Sequence, residues 1–144
     1  MKIDDRAPMV ARKEIIVSAT LEKLWTMQAD INHWPEWQPG VTSAQLDGDV
    51  AVGSVFRWKG GGLNITSTLQ IVEPPRRIGW TGKAIGIDAV HIWTFEPDGD
   101  ATRVTSEESW SGWLTRILKF FDPHMLEKSV DTSLQVLKTK AEQA

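Results

Sequence analysis

The chain contains no cysteine, which excludes a disulfide framework, a thiolate zinc site and a cysteine nucleophile. A reducing compartment fits that absence. No apolar run approaches the roughly 20 residues needed to cross a bilayer. Met1 to Val10 mixes charges where a signal peptide would have an apolar core. The expected location is therefore the cytoplasm, with no integral membrane segment. Charge of one sign is also lacking. The net charge is −3 with acids and bases interspersed, so no nucleic-acid partner is expected. There is no Gly-x-Ser-x-Gly elbow, complete phosphate loop or dinucleotide fingerprint. His33, His91 and His124 stand too far apart to give a metal-ligand spacing. Neither a metal nor a cofactor is expected.

Tyrosine is absent too, yet there are eight tryptophans and four phenylalanines. Tryptophan offers large apolar area and one donor, which suits a core or a ligand cavity. No repeat or linker interrupts residues 1–144, so one domain is expected. Lys13 to Ser18 reads as a strand and Thr20 to Ala29 as a short helix. Trp34-Pro-Glu-Trp37 reads as a packed loop or second short helix. Further strands are expected at about Val41–Leu46, Ser54–Lys59, Leu63–Val72, Arg77–Thr81, Ile87–Glu96 and Ala101–Trp110. Turn signals such as Gly60-Gly61-Gly62 and Pro97-Asp-Gly-Asp100 separate them.

Alternation assigns faces. Phe56 and Trp58 point inward, as do Ile65, Ser67, Leu69 and Ile71, if Gly61-Gly62 is a two-residue turn. A turn at Asp98-Gly99 sets His91 opposite Ser106, and Glu108 opposite Ala89, diagonal to His91. The period then changes. Trp113, Leu114, Ile117, Leu118 and Phe121 share a helical face, which is expected to pack over the sheet edge in preference to serving as a lid or touching a membrane, Arg116 and Lys119 being too few for an anionic-lipid face. Asp122-Pro123 breaks that helix. Leu126, Val130, Leu134, Leu137 and Ala141 form the stripe of a second helix, which needs the sheet as its partner.

These segments resemble START-like (SRPBCC) proteins of the polyketide cyclase/dehydrase type. The opening resembles theirs: a strand, then Ala19, Glu22, Leu24 and Trp25 in an Ala-x-x-Glu-x-apolar-Trp pattern, then Trp34-Pro-Glu-Trp37. Glu73-Pro-Pro-Arg-Arg-Ile-Gly-Trp80 is similar to the family's central hairpin. His91 to Pro97, Thr102 to Val104 and Glu107 to Gly112 resemble its last two strands, and Leu134 to Glu142 its closing helix. Thr20 departs from the pattern, standing where the family often has proline. The resemblance implies an α+β helix-grip (Bet v 1/START-like) fold. A curved seven-stranded antiparallel sheet would grip the long C-terminal helix, with two short helices after the first strand.

What it implies for function is an internal cavity for a small hydrophobic ligand such as a lipid, a polyketide or an aromatic compound. Phe56, Trp58, Leu69, Trp80, Trp93, Val130 and Leu134 would wall it, and Ser67, His91 and Glu108 would supply its polar contacts. A second reading is a cyclase or dehydratase-like enzyme. There His91 moves protons and Glu108, alone of the Glu107-Glu108 pair on the inner face, orients it or shares the work. A third is a module for a protein partner, which an exposed apolar patch of several hundred Å² would favour.

Overall fold

In the computed structural model, which describes residues 1–143, the first strand begins at Met9 rather than Lys13. Met9, Ala11, Ile15 and Val17 bury one side of β1 (Met9–Val17), so alternation carries the strand well upstream of its β-branched centre. Next come α1 (Leu21–Ala29), a single 3-10 turn (Ile31–His33) and the short α2 (Trp34–Trp37). Thr20 caps α1, its side chain accepting from the Lys23 amide at 3.1 Å, so threonine serves well where the family often has proline.

Strands β2 (Val41–Leu46), β3 (Val55–Gly60), β4 (Leu63–Glu73), β5 (Arg77–Ala84), β6 (Ile87–Asp98) and β7 (Ala101–Ser111) then run as a meander. The seven strands form one antiparallel sheet in the order β1-β7-β6-β5-β4-β3-β2. Two helices close the chain, α3 (Trp113–Phe121) and α4 (Met125–Ala141). The helix-grip expectation is met. Among the described residues no helix is long and apolar enough to cross a membrane.

The Gly61-Gly62 turn forms as expected, with φ of 57° and 79° and Gly60 paired to Leu63. Two registers differ from the sequence reading. The β6–β7 turn is Gly99-Asp100, not Asp98-Gly99, because Asp98 pairs with Ala101. Gly99 takes φ 60° at the first turn position, the place where a type II′ hairpin wants glycine. The slip is even, so every side chain keeps its face. It places Glu108 directly opposite His91, and Ser106 opposite Trp93.

In β4 the ladder shifts between Leu69 and Ile71. This bulge turns Ile71 outward, where it packs with Ile3, Ile92, Val10 and Val90 on the convex face. Val72 takes the inward place instead.

The concave face is closed by α4, which lies along β1 and presents Leu126, Val130, Leu134, Leu137 and Ala141, all buried. Burying side chains of this size contributes roughly 1.5–3 kcal/mol each for the leucines and valine. The expectation for α3 is overturned. Its Trp113, Ile117 and Phe121 face solvent, and only Thr115, Leu114 and Leu118 turn toward the body of the protein. The start of the helix is tied to the β5–β6 turn, where Leu114 N–H donates to the Gly86 carbonyl at 2.9 Å, and its aromatic face is left in solvent.

Candidate functional site

Strand alternation places Phe56, Trp58, Ser67, Leu69, Trp80, His91, Trp93 and Glu108 on the concave face, with Val130 and Leu134 facing them from α4. All ten sequence-proposed residues thus share one interior. Trp34, which the sequence places in a packed loop or short helix, sits at its centre. Trp34 of α2 lies edge-on to Phe56 and Trp58, with centroids 5.5 Å away in both cases and planes near 90°. Its ring is 5.3 Å from Trp80, which is itself T-shaped to Phe56. Such edge-to-face pairs bring the positive ring edge to the negative face. The Trp34 Nε1–H donates to the Gln28 carbonyl at 3.0 Å, which fixes the ring.

The interior is closed around this aromatic group. Phe56, Leu69, Val104 and Leu137 have no accessible surface, so no water-sized void adjoins them. Two depressions on the surface are open and superficial. One lies at the β2–β3–β4 edge beside Trp58 and Ile65, the other between Ser18–Thr20 and the β6–β7 turn.

Polar groups gather on two neighbouring parts of the face. On β3 and β4 the Trp58 indole donates to the Ser67 hydroxyl at 3.1 Å. On β6 and β7 the His91 ring stands between Trp80 and Trp93, 5.2 and 5.3 Å away. His91 Nε2 is 2.8 Å from the Ser106 hydroxyl, and its Nδ1 is 3.5 Å from Glu108 Oε1. The other oxygen of Glu108 accepts from the Trp110 indole at 2.8 Å. Burial pushes the imidazole pKa below its ordinary value, against the opposing pull of the Glu108 carboxylate. A neutral ring has one N–H. Since a carboxylate only accepts, Nδ1 carries it toward Glu108 and Nε2 accepts from Ser106.

This chain of carboxylate, imidazole and hydroxyl has the connectivity of a nucleophilic triad, but Ser106 has no accessible surface. A substrate has no route to its oxygen. The His91 and Glu108 side chains, 12% and 14% exposed, are the reachable members.

One further group bears on the site. Among the described residues the buried Trp93 Nε1–H has no acceptor. Native interiors leave few such donors unpaired. Ser106, Trp34 and Trp110 were not singled out from sequence as site residues. The shared parity of Val104, Ser106, Glu108 and Trp110 was a usable signal for Ser106 and Trp110. For Trp34 there was none beyond its aromatic neighbours.

The model of the family described as polyketide cyclase / dehydrase and lipid transport matches residues 9–142. The chain belongs to that family. No curated protein sequence matches it significantly. Among solved structures, the hypothetical protein jhp0584 from Helicobacter pylori superposes with a TM-score of 0.85 at 18% identity, over 97% of this chain and 92% of that one. Norcoclaurine synthase from Thalictrum flavum gives 0.71 at 15% identity, over 94% and 87%. The di-domain ARO/CYC protein BexL of the BE-7585A biosynthetic pathway gives 0.73 at 16% identity, over 94% of this chain and 50% of that one. At such identities the likeness is one of fold.

Proposed function

We propose that this polyketide cyclase/dehydrase-family chain binds a small, mostly apolar molecule bearing a hydrogen-bond acceptor, on the face formed by Trp80, His91 and Trp93. The observation that carries the reading is the buried, unpaired Trp93 Nε1–H beside a largely buried imidazole and carboxylate on an otherwise aromatic surface. A carbonyl oxygen would satisfy that donor, and the rings would cover the rest of the ligand. The family's description includes lipid transport, and two proteins of the same fold are named as a synthase and an ARO/CYC protein. The filled interior means that binding displaces a side chain, and Trp34 is the one that occupies the space.

Native mass spectrometry of the purified chain, with extraction of any bound compound, is the first test. Fluorescence titration with 2-acetylnaphthalene and 2-ethylnaphthalene is the second, since these differ in the carbonyl alone. Losing one hydrogen bond of about 0.5–1.5 kcal/mol corresponds to roughly 2- to 12-fold in affinity. The ketone should bind tighter by that factor, and Trp93→Phe should erase the difference. Equal affinities in the wild type would sink the proposal.

A second reading, a cyclase or dehydratase-like enzyme, draws support from the Ser106–His91–Glu108 chain. Burial keeps the imidazole neutral near pH 7 and so able to take a proton. His91→Gln retaining full turnover of an identified substrate would refute it.

A further inference from the structure

Helix α3 carries an apolar face that no other element covers. At 100° per residue, Trp113, Ile117, Phe120 and Phe121 fall on one side of this nine-residue helix. They are 59, 46, 82 and 78% exposed, and Ile85 of the adjacent β5–β6 turn adds another apolar side chain at 72%. Phe120 and Phe121 stack edge-to-face, 5.3 Å apart, at the far end of the helix. Monomeric soluble proteins seldom expose so many large apolar groups together.

The polar groups of α3 indicate what covers it. Arg116 borders the apolar face, about 40° round the helix from Phe120, Lys119 stands exposed about a further 60° round, and no acidic residue occurs between Trp113 and Phe121. Asp88, opposite Ser111 at the end of β7, pairs with Lys83 at 3.9 Å, and Asp122, which follows the helix, pairs with Lys128 at 3.3 Å. Among the described residues neither Arg116 nor Lys119 has an ion-pair partner. A chain of net charge −3 thus carries a purely cationic helix where its aromatic groups are most exposed.

The helix is also held in place. Leu114 N–H donates to the Gly86 carbonyl, and the Thr115 hydroxyl to the Ser111 carbonyl at 2.9 Å. Gly86 packs so closely under Trp113 and Leu114 that a Cβ there would stand 2.6 Å from Leu114 Cβ. The apolar face is therefore presented, not left over from loose packing.

From this arrangement we infer that α3 docks in the headgroup region of an anionic lipid bilayer, with its aromatic side down. Tryptophan and phenylalanine immerse at the boundary with the acyl chains, while Arg116 meets lipid phosphates directly and the long Lys119 side chain adds its charge within a Debye length of the surface. A protein interface core, by contrast, is depleted in lysine. The inference does not depend on whether the concave face binds a ligand.

Flotation with phosphatidylcholine vesicles and with vesicles containing 30 mol % phosphatidylserine tests it on the intact chain. The wild type should float with the anionic vesicles and bind the neutral ones more weakly. Arg116→Gln/Lys119→Gln should weaken anionic-vesicle binding roughly 30-fold, from two charges near a negative surface. Phe120→Ser/Phe121→Ser should abolish flotation while leaving the circular dichroism spectrum and melting temperature unchanged, since both rings are exposed. Failure of the wild type to float overturns the inference, as does flotation that the phenylalanine variant retains. A concentration-dependent dimer in light scattering, lost in that variant and accompanied by no vesicle binding, would assign the face to a second copy of the chain instead.

Discussion

Removing the indole of Trp34 is the most informative perturbation of the interior. The side chain is almost wholly buried and touches Phe56, Trp58 and Trp80, so Trp34→Ala loses nearly all of its burial. An aromatic residue buries about 150–250 Å². At about 25 cal/mol per Å² that is about 4–6 kcal/mol, an upper estimate because the unfolded chain is itself partly collapsed. Measured tryptophan truncations fall at about 3–5 kcal/mol, and the same range is expected here. Against a typical stability of about 5–15 kcal/mol the variant should still fold. In a domain of this size it should melt roughly 10–15 °C lower.

Urea unfolding followed by far-ultraviolet circular dichroism avoids the altered tryptophan signal, and the m-value should not change. The void left behind has aromatic walls and should take up indole. Added indole should therefore raise the unfolding midpoint of the variant and leave the wild type unmoved. A loss below about 1 kcal/mol with unchanged m, or no response to indole, would refute the claim that Trp34 fills the concave face.

Acidification should act on the fold through His91. Its folded pKa is lowered by burial, so between that value and the unfolded value near 6.5 the unfolded chain binds more protons, and stability falls as pH drops below about 6.5. His91→Gln should flatten this part of the stability profile relative to wild type, and an unchanged slope would show that the ring titrates normally. Glycine substitutions should separate backbone strain from crowding. Gly61 has φ 57° and open space around it, so Gly61→Ala should destabilise by about 1–2 kcal/mol. Gly86, with φ 70° and the Leu114 and Trp113 side chains against it, should lose clearly more on Gly86→Ala, read as a larger drop in melting temperature.

The parts of the fold legible from sequence are those fixed by parity and period. An even-numbered turn within Gly60-Gly61-Gly62 is enough to match the apolar faces of β3 and β4, and the α4 stripe repeats over the length of the helix. Parity was also enough to bring His91 and Glu108 to one face. It was not enough for their register, because Asp98-Gly99 and Gly99-Asp100 are both acceptable hairpin turns and differ by an even shift. The bulge near Gln70 left no mark in the alternation, which continues unbroken through Ile71. Helical period identified α3 as amphipathic but carried no information on whether its apolar side meets the sheet or water. That depends on how the helix is tied to the β5–β6 turn, a tertiary property. The filling role of Trp34 was hidden for the same reason. A tryptophan between prolines and other tryptophans reads as a packed loop wherever the loop lies.

Access to Trp93 requires some element to move, and the fastenings differ sharply between the candidates. Beyond its buried stripe, α4 is tied to β1 and α1 at its C-terminal end. Lys138 Nζ donates to the Ile16 carbonyl and to Glu142, each at 2.8 Å. Glu142 accepts from the Ser18 amide, and Lys23 Nζ donates to the Ala141 carbonyl. By contrast α2 is four residues long and its one helical bond runs from Gln38 N–H to the Trp34 carbonyl. Its hydrogen-bonded hold on the body is the Trp34 indole and, from the preceding 3-10 turn, the Asn32 side chain, whose Oδ1 accepts from the Leu46 amide at 2.7 Å. A segment with so few bonds opens at lower free energy than a long packed helix. Hydrogen exchange should therefore find the Gln38 amide exchanging at least 100-fold faster than the amides from Val130 to Leu137, an opening difference of about 2.7 kcal/mol or more. Trp34→Ala should speed Gln38 further and leave the Val130–Leu137 amides limited by global unfolding. If α4 exchanges as fast as α2, the long helix is the moving part, and the way in lies between α4 and β1.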